Sequence, residues 1–303
     1  MHLAVRRPLA GLTLLAAAVL CAPFAAHAQD LTGTLKKIHD DRVVLLGVRE
    51  ASIPFAYSNG QHTVGYSYAI AQRIIDEIRK TLNLPDLKVR EVPVNSSNRV
   101  SLLVNNQIDL ECGSTTHTRD RENQAAFSYS FFMYSVRMLV RKSSHIKDFQ
   151  DLAGKPVVTT AGTSDERLLR ELNSAKQLNM RIAAVKDHPE AFAMVKSGRA
   201  VAFVMDEPIL YGTRAADPHP DEFEVTGSPL ATEAYACMFR KGDAPFRKLV
   251  NDVVGTMETS GEAARLYDTW FTQPIPPHGT NLNYPLSPQM RDMFAHPNDR
   301  ALD

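Results

Sequence analysis

Strands and helices alternate along this chain, and this alternation limits the possible folds more than any other feature. The run VVLLGV at 43–48 is typical of a strand buried on both faces. A helix begins at Gly65, and its apolar residues recur at four-residue spacing: Tyr66, Ile70, Ile74, Ile78 and Leu82. The alternation continues with strands at 87–94, 156–160, 181–185 and 200–205 and helices at 98–106, 165–178 and 188–197. It predicts an α/β fold with parallel sheets covered by helices on both faces.

The first 28 residues predict a secretory signal peptide. Basic residues precede an apolar run at 9–26, which ends in the small residues of Ala26-His27-Ala28. Pro23 interrupts the run, which argues against a membrane anchor, and Leu20 argues against a lipid on Cys21. Cleavage after residue 28 would place the mature protein in the periplasm.

The charge balance of the mature chain is close to neutral. Removal of the signal peptide takes two arginines from the 34 basic residues and none from the 34 acidic residues, which leaves 32 against 34. Such a balance gives no general attraction to nucleic acid or to anionic lipid. We therefore expect neither as a partner.

Two extended runs suggest how the mature chain is divided. About 275 residues are too many for one ordinary core and suit two lobes. The runs 134–141 and 233–239 lie where the chain would pass between lobes, as two hinge strands. This interpretation predicts a discontinuous first lobe, residues 29–136 plus 237–303, and an inserted second lobe, residues 137–236.

The segment ECGSTTHTRDRENQAAFS, at 111–128, combines groups that bind anions. Ser114 and Thr116 lie ahead of a predicted helix start, where backbone N–H groups and the helix dipole attract negative charge. Arg121 lies five residues after Thr116, and its planar guanidinium group can reach back and form two parallel hydrogen bonds with a carboxylate. The alternative is an ordinary helix cap followed by a solvated charged turn.

The mature chain contains two cysteines, Cys112 and Cys237. An even pair in an oxidising compartment favours a disulfide. Zinc is the weaker alternative, because neither a CxxC motif nor a histidine pair at ligand spacing is present.

Several motifs from about Leu35 to the last residue resemble those of the periplasmic solute-binding proteins of amino-acid ABC transporters, and within them the glutamate/aspartate-binding proteins. The motifs are REAS at 49–52, NSSNR at 95–99, ECGSTT at 111–116, KDH at 186–188, EAYACM at 233–238, TSGEA at 259–263 and HPNDRALD at 296–303. One departure is Ser67, where the wider family usually has an acidic residue. The resemblance implies the two-lobed periplasmic-binding-protein fold (type II), with the ligand in the cleft between the lobes.

The resemblance also implies roles for individual residues. Arg121, with Ser114 and Thr116, matches the group that binds the α-carboxylate, and Thr163 and Ser164 match its counterpart on the second lobe. Asp206 matches the partner of the α-ammonium group. The residues that match the group holding the side-chain carboxylate are Arg49, Ser96, Arg99 and His188.

Elementary chemistry agrees with these roles. An acidic amino acid carries two carboxylates and one ammonium group, so its site needs excess positive charge and a well-placed acid. Each residue also has a simpler interpretation: Arg49 as a surface arginine, His188 as a helix start, and Asp206 as a helix cap.

The sequence thus predicts a monomeric receptor that captures L-glutamate or L-aspartate and delivers it to a membrane permease, without a cofactor or metal. The alternatives are a receptor of the same fold for another amino acid or a dicarboxylate, and a dehydratase-type enzyme. Asp206, Glu207 and His188 would be the candidate acids and bases of an enzyme.

Overall fold

The computed structural model describes residues 1–4 and 31–302. The predicted signal peptide, residues 1–28, lies outside the described residues except for its first four. In the part of the chain that the structure describes, no helix combines the length and the apolar character needed to cross a bilayer. The elements below all belong to one compact unit, Thr32–Asp303.

Ten α-helices are present among the described residues. They are α1 Gly33–Asp41, α2 Tyr66–Thr81, α3 Arg99–Val104, α4 Arg119–Glu122, α5 Ser164–Ala175, α6 His188–Lys196, α7 Glu207–Ala215, α8 Ala244–Thr259, α9 Glu262–Phe271 and α10 Pro288–Ala295. Short 3-10 turns lie at Lys142–Ser144, Phe149–Leu152 and Pro220–Glu222.

The described residues form fourteen strands. They are β1 Val43–Val48, β2 Ala51–Ser52, β3 Ala56–Ser58, β4 Thr63–Val64, β5 Lys88–Pro93, β6 Leu110–Glu111, β7 Ala125–Arg141, β8 Pro156–Thr160, β9 Arg181–Val185, β10 Ala202–Asp206, β11 Phe223–Thr226, β12 Thr232–Arg240, β13 Pro274–Ile275 and β14 Thr280–Asn281.

The main sheet has the order β5-β1-β6-β12-β7-β10-β8-β9, and β11 also pairs with β7. Strand β1 is parallel to β5 and β6, and β8 is parallel to β9 and β10. The predicted parallel strands are therefore present on both sides of the sheet. The continuous apolar sequence of β1 fits a strand that helices cover on both faces, whereas β5 lies at the edge of the sheet and is mostly exposed.

The long strand β7 joins the two sides of this sheet. Its residues up to Ser135 pair with β12, and its residues from Val136 to Arg141 pair with β10 and β11. Both extended runs predicted as hinge strands therefore lie in strands that pair with each other. Strand β7 begins nine residues earlier than the run that the sequence singled out at 134–141. The exact lobe boundaries remain a prediction.

An apolar core holds helix α3 against β7 and β12. Leu103 and Ile108 are fully buried and belong to the same cluster as Phe127, Ala236 and Met238. The packing of α3 on this cluster fixes the position of Arg99, the first residue of the helix.

Candidate functional site

Two buried guanidinium groups lie together at the carboxyl end of the first strands. Arg49 directly follows β1, and Arg99 begins α3; they are 4 % and 1 % exposed. Arg49 Nη1 donates to Ser114 Oγ at 3.2 Å, while Arg99 Nη1 donates to the Ser114 carbonyl at 2.9 Å. Ser114 therefore connects both arginines, and the surface interpretation of Arg49 does not hold.

Burial and mutual repulsion act on both of these arginines. Burial lowers the pKa of Arg99, and together with the charges of Arg121 and Arg49 it brings the value to about 9. Burial likewise lowers the pKa of Arg49, and the negative charge of Glu111 acts in the opposite direction. Excess positive charge held out of water favours a bound anion.

Glu111 is a buried acid of this group that the sequence analysis did not assign to the site. Its Oε2 accepts a 2.5 Å hydrogen bond from Thr115 Oγ1, and the same hydroxyl accepts from Arg99 Nη1 at 2.6 Å. The residue lies inside the ECGSTT motif at 111–116, which was the available signal. Because Glu111 reaches Arg99 through Thr115, no ion pair joins Arg49 or Arg99 directly to a carboxylate among the described residues.

His188 faces Arg49 from the start of α6. Its Nε2 lies 3.3 Å from Arg49 Nη2, and its Nδ1 lies 2.9 Å from Thr160 Oγ1. Burial lowers the pKa of His188 far below its ordinary value, and the charges of Arg49 and Arg99 add to the effect. The ring is therefore neutral at neutral pH and acts through hydrogen bonds alone. Arg49 donates to Nε2, so Nδ1 carries the proton.

Arg121 occupies the short helix α4, which Thr118 caps by accepting from the Arg121 backbone N–H at 3.2 Å. The Arg121 side chain folds back so that Nη1 donates to the Thr116 carbonyl at 2.7 Å. Its Nη2 donates to the Gly162 carbonyl at 3.2 Å. The predicted reach of this arginine toward the hydroxyl segment is therefore present.

Hydroxyl groups form a second cluster around Thr116. Thr116 Oγ1 lies 2.8 Å from Tyr134 Oη and 3.0 Å from Ser164 Oγ. Ser164 Oγ also donates to Glu233 Oε2 at 2.8 Å. Thr163 has a different environment, because its hydroxyl accepts from the Glu166 N–H in the cap of α5 and donates to the Thr160 carbonyl.

Asp206 ends β10 and is 1 % exposed. Its Oδ2 accepts a short hydrogen bond from the Tyr235 hydroxyl, whereas Oδ1 has no partner among the described residues. Burial raises the pKa of Asp206, and the charge of Glu233 raises it further. Its side chain makes no cap bond to α7, so the simple interpretation of Asp206 as a cap does not explain its burial.

The chain passes close to itself at Gly162, near the predicted ligand residue Ser96. A Cβ atom at Gly162 would lie 2.7 Å from Ser97 Cα and 2.9 Å from the Ser96 carbonyl oxygen, and φ is +76°. Ser97 Oγ donates to the Ala161 carbonyl at 3.1 Å. Glycine is therefore required here, where Ser96 is also buried.

Several contacts around the site join residues that the sequence assigns to different lobes. Among them are Arg49 with His188, Ser97 with Ala161, Thr116 with Ser164, and Arg121 with Gly162. The predicted site residues therefore converge on one buried cleft, in a closed arrangement.

The predicted disulfide joins Cys112 and Cys237 beside this cleft. Strands β6 and β12 pair antiparallel with Glu111 opposite Met238, which places the two cysteines opposite each other in the next position. The bridge thus ties the hydroxyl segment at 114–116 to a hinge strand.

Four further acids and tyrosines of this cleft were not predicted as site residues: Tyr134, Asp165, Glu233 and Tyr235. Tyr134 and Glu233 are opposite each other in the β7–β12 pairing, and Glu233 and Tyr235 share a face of β12. The motif EAYACM at 233–238 was the signal for two of them. Asp165 follows Ser164 directly in sequence.

Two α/β lobes joined by paired hinge strands, with the predicted site residues between them, define the architecture of a two-lobed solute-binding protein. The chain belongs to the bacterial extracellular solute-binding proteins, family 3, whose model matches residues 44–273. This result confirms the predicted family and fold class.

Two relatives align with this protein over nearly its whole length. It is 47 % identical over 293 residues to the L-glutamate/L-aspartate-binding protein of Pseudomonas aeruginosa, with 96 % of each chain covered. It is 44 % identical over 300 residues to the glutamate/aspartate import solute-binding protein of Escherichia coli (strain K12), with 99 % of each covered.

Solved structures support the fold alone. An ancestral arginine-binding protein bound to arginine matches with a TM-score of 0.68 at 24 % identity, covering 76 % of this chain and 98 % of that one. The solute receptor for L-cysteine of Neisseria gonorrhoeae matches with a TM-score of 0.68 at 23 % identity, covering 78 % and 93 %.

Proposed function

We propose that this protein is a periplasmic receptor that captures L-glutamate or L-aspartate and delivers it to the membrane permease of an ABC importer. The names of relatives that are 44 % to 47 % identical over nearly the whole chain support this ligand class. The same relatives support a receptor without catalytic activity, and we expect the protein to act as a monomer.

The buried pair Arg49 and Arg99 is the observation that carries the proposal. Two guanidinium groups held out of water, with no direct carboxylate partner among the described residues, require an anion from outside the chain. The side-chain carboxylate of glutamate or aspartate would supply it. His188 would act there by accepting a hydrogen bond from Arg49 and so orienting its guanidinium group, and Ser96 would lie at the same end of the cleft.

The opposite end of the ligand is assigned to a second set of residues. Arg121, with the hydroxyl of Thr116, would bind the α-carboxylate. The hydroxyl of Ser114, which the sequence also assigned to this end, contacts Arg49 instead. Ser164 and the N-terminus of α5 at Thr163 would complete this carboxylate-binding site from the second lobe. Asp206 would accept a hydrogen bond from the α-ammonium group, because its Oδ1 has no partner within the described chain.

Closure would follow capture. The ligand would first bind residues of lobe 1, residues 29–136 plus 237–303, and lobe 2, residues 137–236, would then close over it. The contacts between Arg49 and His188 and between Arg121 and Gly162 would form in this last step.

Isothermal titration calorimetry of the purified protein tests the proposal. The ligand panel contains glutamate, aspartate, glutamine, arginine and succinate. We expect glutamate and aspartate to bind roughly 10- to 150-fold more tightly than glutamine, since a buried charged hydrogen bond is worth about 1.5–3 kcal/mol. Tightest binding of an uncharged or basic side chain would refute the proposed ligand class, and chemical turnover of any ligand would refute the receptor role.

A further inference from the structure

Three buried carboxylates meet in the cleft on three different elements. Asp165 lies in the first turn of α5, Asp206 ends β10, and Glu233 lies in β12. One oxygen of each lies within 4.8 Å of the other two, and the three side chains are no more than 4 % exposed. Asp165 and Asp206 fall within the predicted second lobe, 137–236, and Glu233 lies on the hinge strand β12.

The hydrogen bonds of these carboxylates are incomplete. Glu233 Oε2 accepts from Tyr134 at 3.1 Å and from Ser164 at 2.8 Å, and Asp206 Oδ2 accepts from Tyr235. By contrast, both oxygens of Asp165 and the Oδ1 atom of Asp206 have no partner among the residues that the structure describes. Two ionised, unpaired carboxylates at such a separation out of water would be strongly destabilising.

The three acids differ in the charged groups that surround them. Arg121 and Arg167 attract the charge of Glu233, and Arg99 attracts that of Asp206. Burial raises the pKa of Asp165 far above its ordinary value, and the charges of Asp206 and Glu233 raise it further. The hydroxyls of Tyr134 and Tyr235 are neutral donors on the hinge strands, because burial raises the pKa of both.

We propose that Asp165 is an additional ligand-recognition residue, which shares one proton with Asp206 in the free receptor and gives it up when the α-ammonium group binds between them. The inference rests on the proposed placement of that group at Asp206. The free pair carries one proton and one negative charge, and the proton passes to the buffer as the ammonium group enters. The bound pair then has two negative charges against the positive charge of the ligand.

This exchange has a defined dependence on pH. The free pair holds its proton below its own pKa, and the bound pair has lost it above the lower pKa that the ammonium group imposes. Between these two pKa values, binding releases one proton, and affinity rises with pH by up to tenfold for each pH unit. Above the pKa of the free pair, no proton remains to be released and affinity levels off.

Calorimetry in two buffers measures this proton directly. Glutamate is titrated into the EDTA-treated protein at the same pH in phosphate, which has a small ionisation enthalpy, and in Tris, which has a large one. The wild-type enthalpy should differ between the buffers by an amount equivalent to release of up to one proton for each glutamate. Binding with the same enthalpy in both buffers across pH 6–8 would overturn the inference, and this result needs no variant.

Two variants assign the proton to its site. Asp165→Asn keeps the size of the side chain and should abolish the buffer dependence at saturating glutamate. The matched control is Glu258→Gln, which changes another buried carboxyl with a raised pKa, on α8. This control should release protons as the wild type does. Release that persists unchanged in Asp165→Asn would place the proton on another group and overturn the assignment.

The same titrations distinguish a failure of the proposed function from a failure of this inference. No heat with either glutamate or aspartate would overturn both that function and this inference, whereas buffer-independent binding would overturn the inference alone. A titration with Ca²⁺ or Mg²⁺ in the absence of amino acid should give no heat. Saturable binding of either ion that Asp165→Asn abolishes would assign the cluster to a metal ion and overturn its role in ammonium recognition.

Discussion

Replacing Arg99 with methionine removes one guanidinium group from the cleft and keeps much of the side-chain volume. The structure shows which part of Arg99 is available to a ligand. Its Nη1 already donates to the Ser114 carbonyl and to Thr115 Oγ1, which accounts for both of its hydrogens. Its Nε has no partner in the described part of the chain. The edge formed by Nε and Nη2 therefore remains for a carboxylate, as a parallel pair of hydrogen bonds.

The expected loss of glutamate affinity follows from these two hydrogen bonds. Hydrogen bonds to charged groups contribute about 1.5–3 kcal/mol each, so loss of the pair should weaken glutamate binding by about 3–6 kcal/mol, or roughly 150- to 25,000-fold. Glutamine presents a neutral amide, whose hydrogen bond is worth about 1 kcal/mol. Its affinity should fall only about fivefold.

The assay compares calorimetric Kd values of glutamate and glutamine for the wild type and Arg99→Met. The matched control is Arg90→Met, which removes an exposed arginine of β5 and should leave both affinities unchanged. A thermal melt of each variant establishes that it is folded. Equal losses for both ligands would show that Arg99 does not contact the side-chain carboxylate and would refute the assigned orientation of the ligand.

Three further predictions concern other parts of the molecule. Arg121→Ala should weaken glutamate and glutamine by the same factor, because both carry an α-carboxylate; a loss confined to glutamate in calorimetry would reverse the two ends of the ligand. Replacing Cys112 and Cys237 by serine removes a disulfide between residues 125 positions apart and should lower the free energy of unfolding by about 4–5 kcal/mol. Urea denaturation measures this change, and an unchanged urea midpoint would contradict a stabilising role of the disulfide. Burial raises the pKa of Glu258 to about 9 from 4.5, so the folded state holds a proton that the unfolded state loses, and stability from this group falls as pH rises from about 4.5 to 9. Glu258→Gln should therefore melt at a higher temperature than the wild type at pH 8 and at the same temperature near pH 4, and an equal difference at both values would contradict this reasoning.

The sequence predicted the local elements with good accuracy, because their causes are local. Strands at 43–48, 156–160 and 181–185 were predicted at the bounds that the structure shows, since continuous apolar runs between turn residues specify them. The helix that begins after Gly65 was predicted from its four-residue apolar spacing. Neither pattern depends on distant parts of the chain.

The cleft also depends on pairings between distant segments, which local patterns do not specify. Motifs identified Arg49, Arg99 and Asp206 as candidates, yet Glu111 and Asp165 were recognised as members of the site only from the structure. Glu111 reaches Arg99 through the Thr115 hydroxyl once α3 packs against the sheet.

The carboxylate cluster shows the same division more clearly. Asp165 and Asp206 are 41 positions apart, and Glu233 lies on a strand whose register with β7 is set far from either. Periodicity reports which face of an element is buried, but not which other element covers it. The sequence by itself therefore determined the two-lobed fold class, the two extended runs that pair as β7 and β12, and the chemical types of the candidate ligand groups. The tertiary structure alone decided which charges meet out of water.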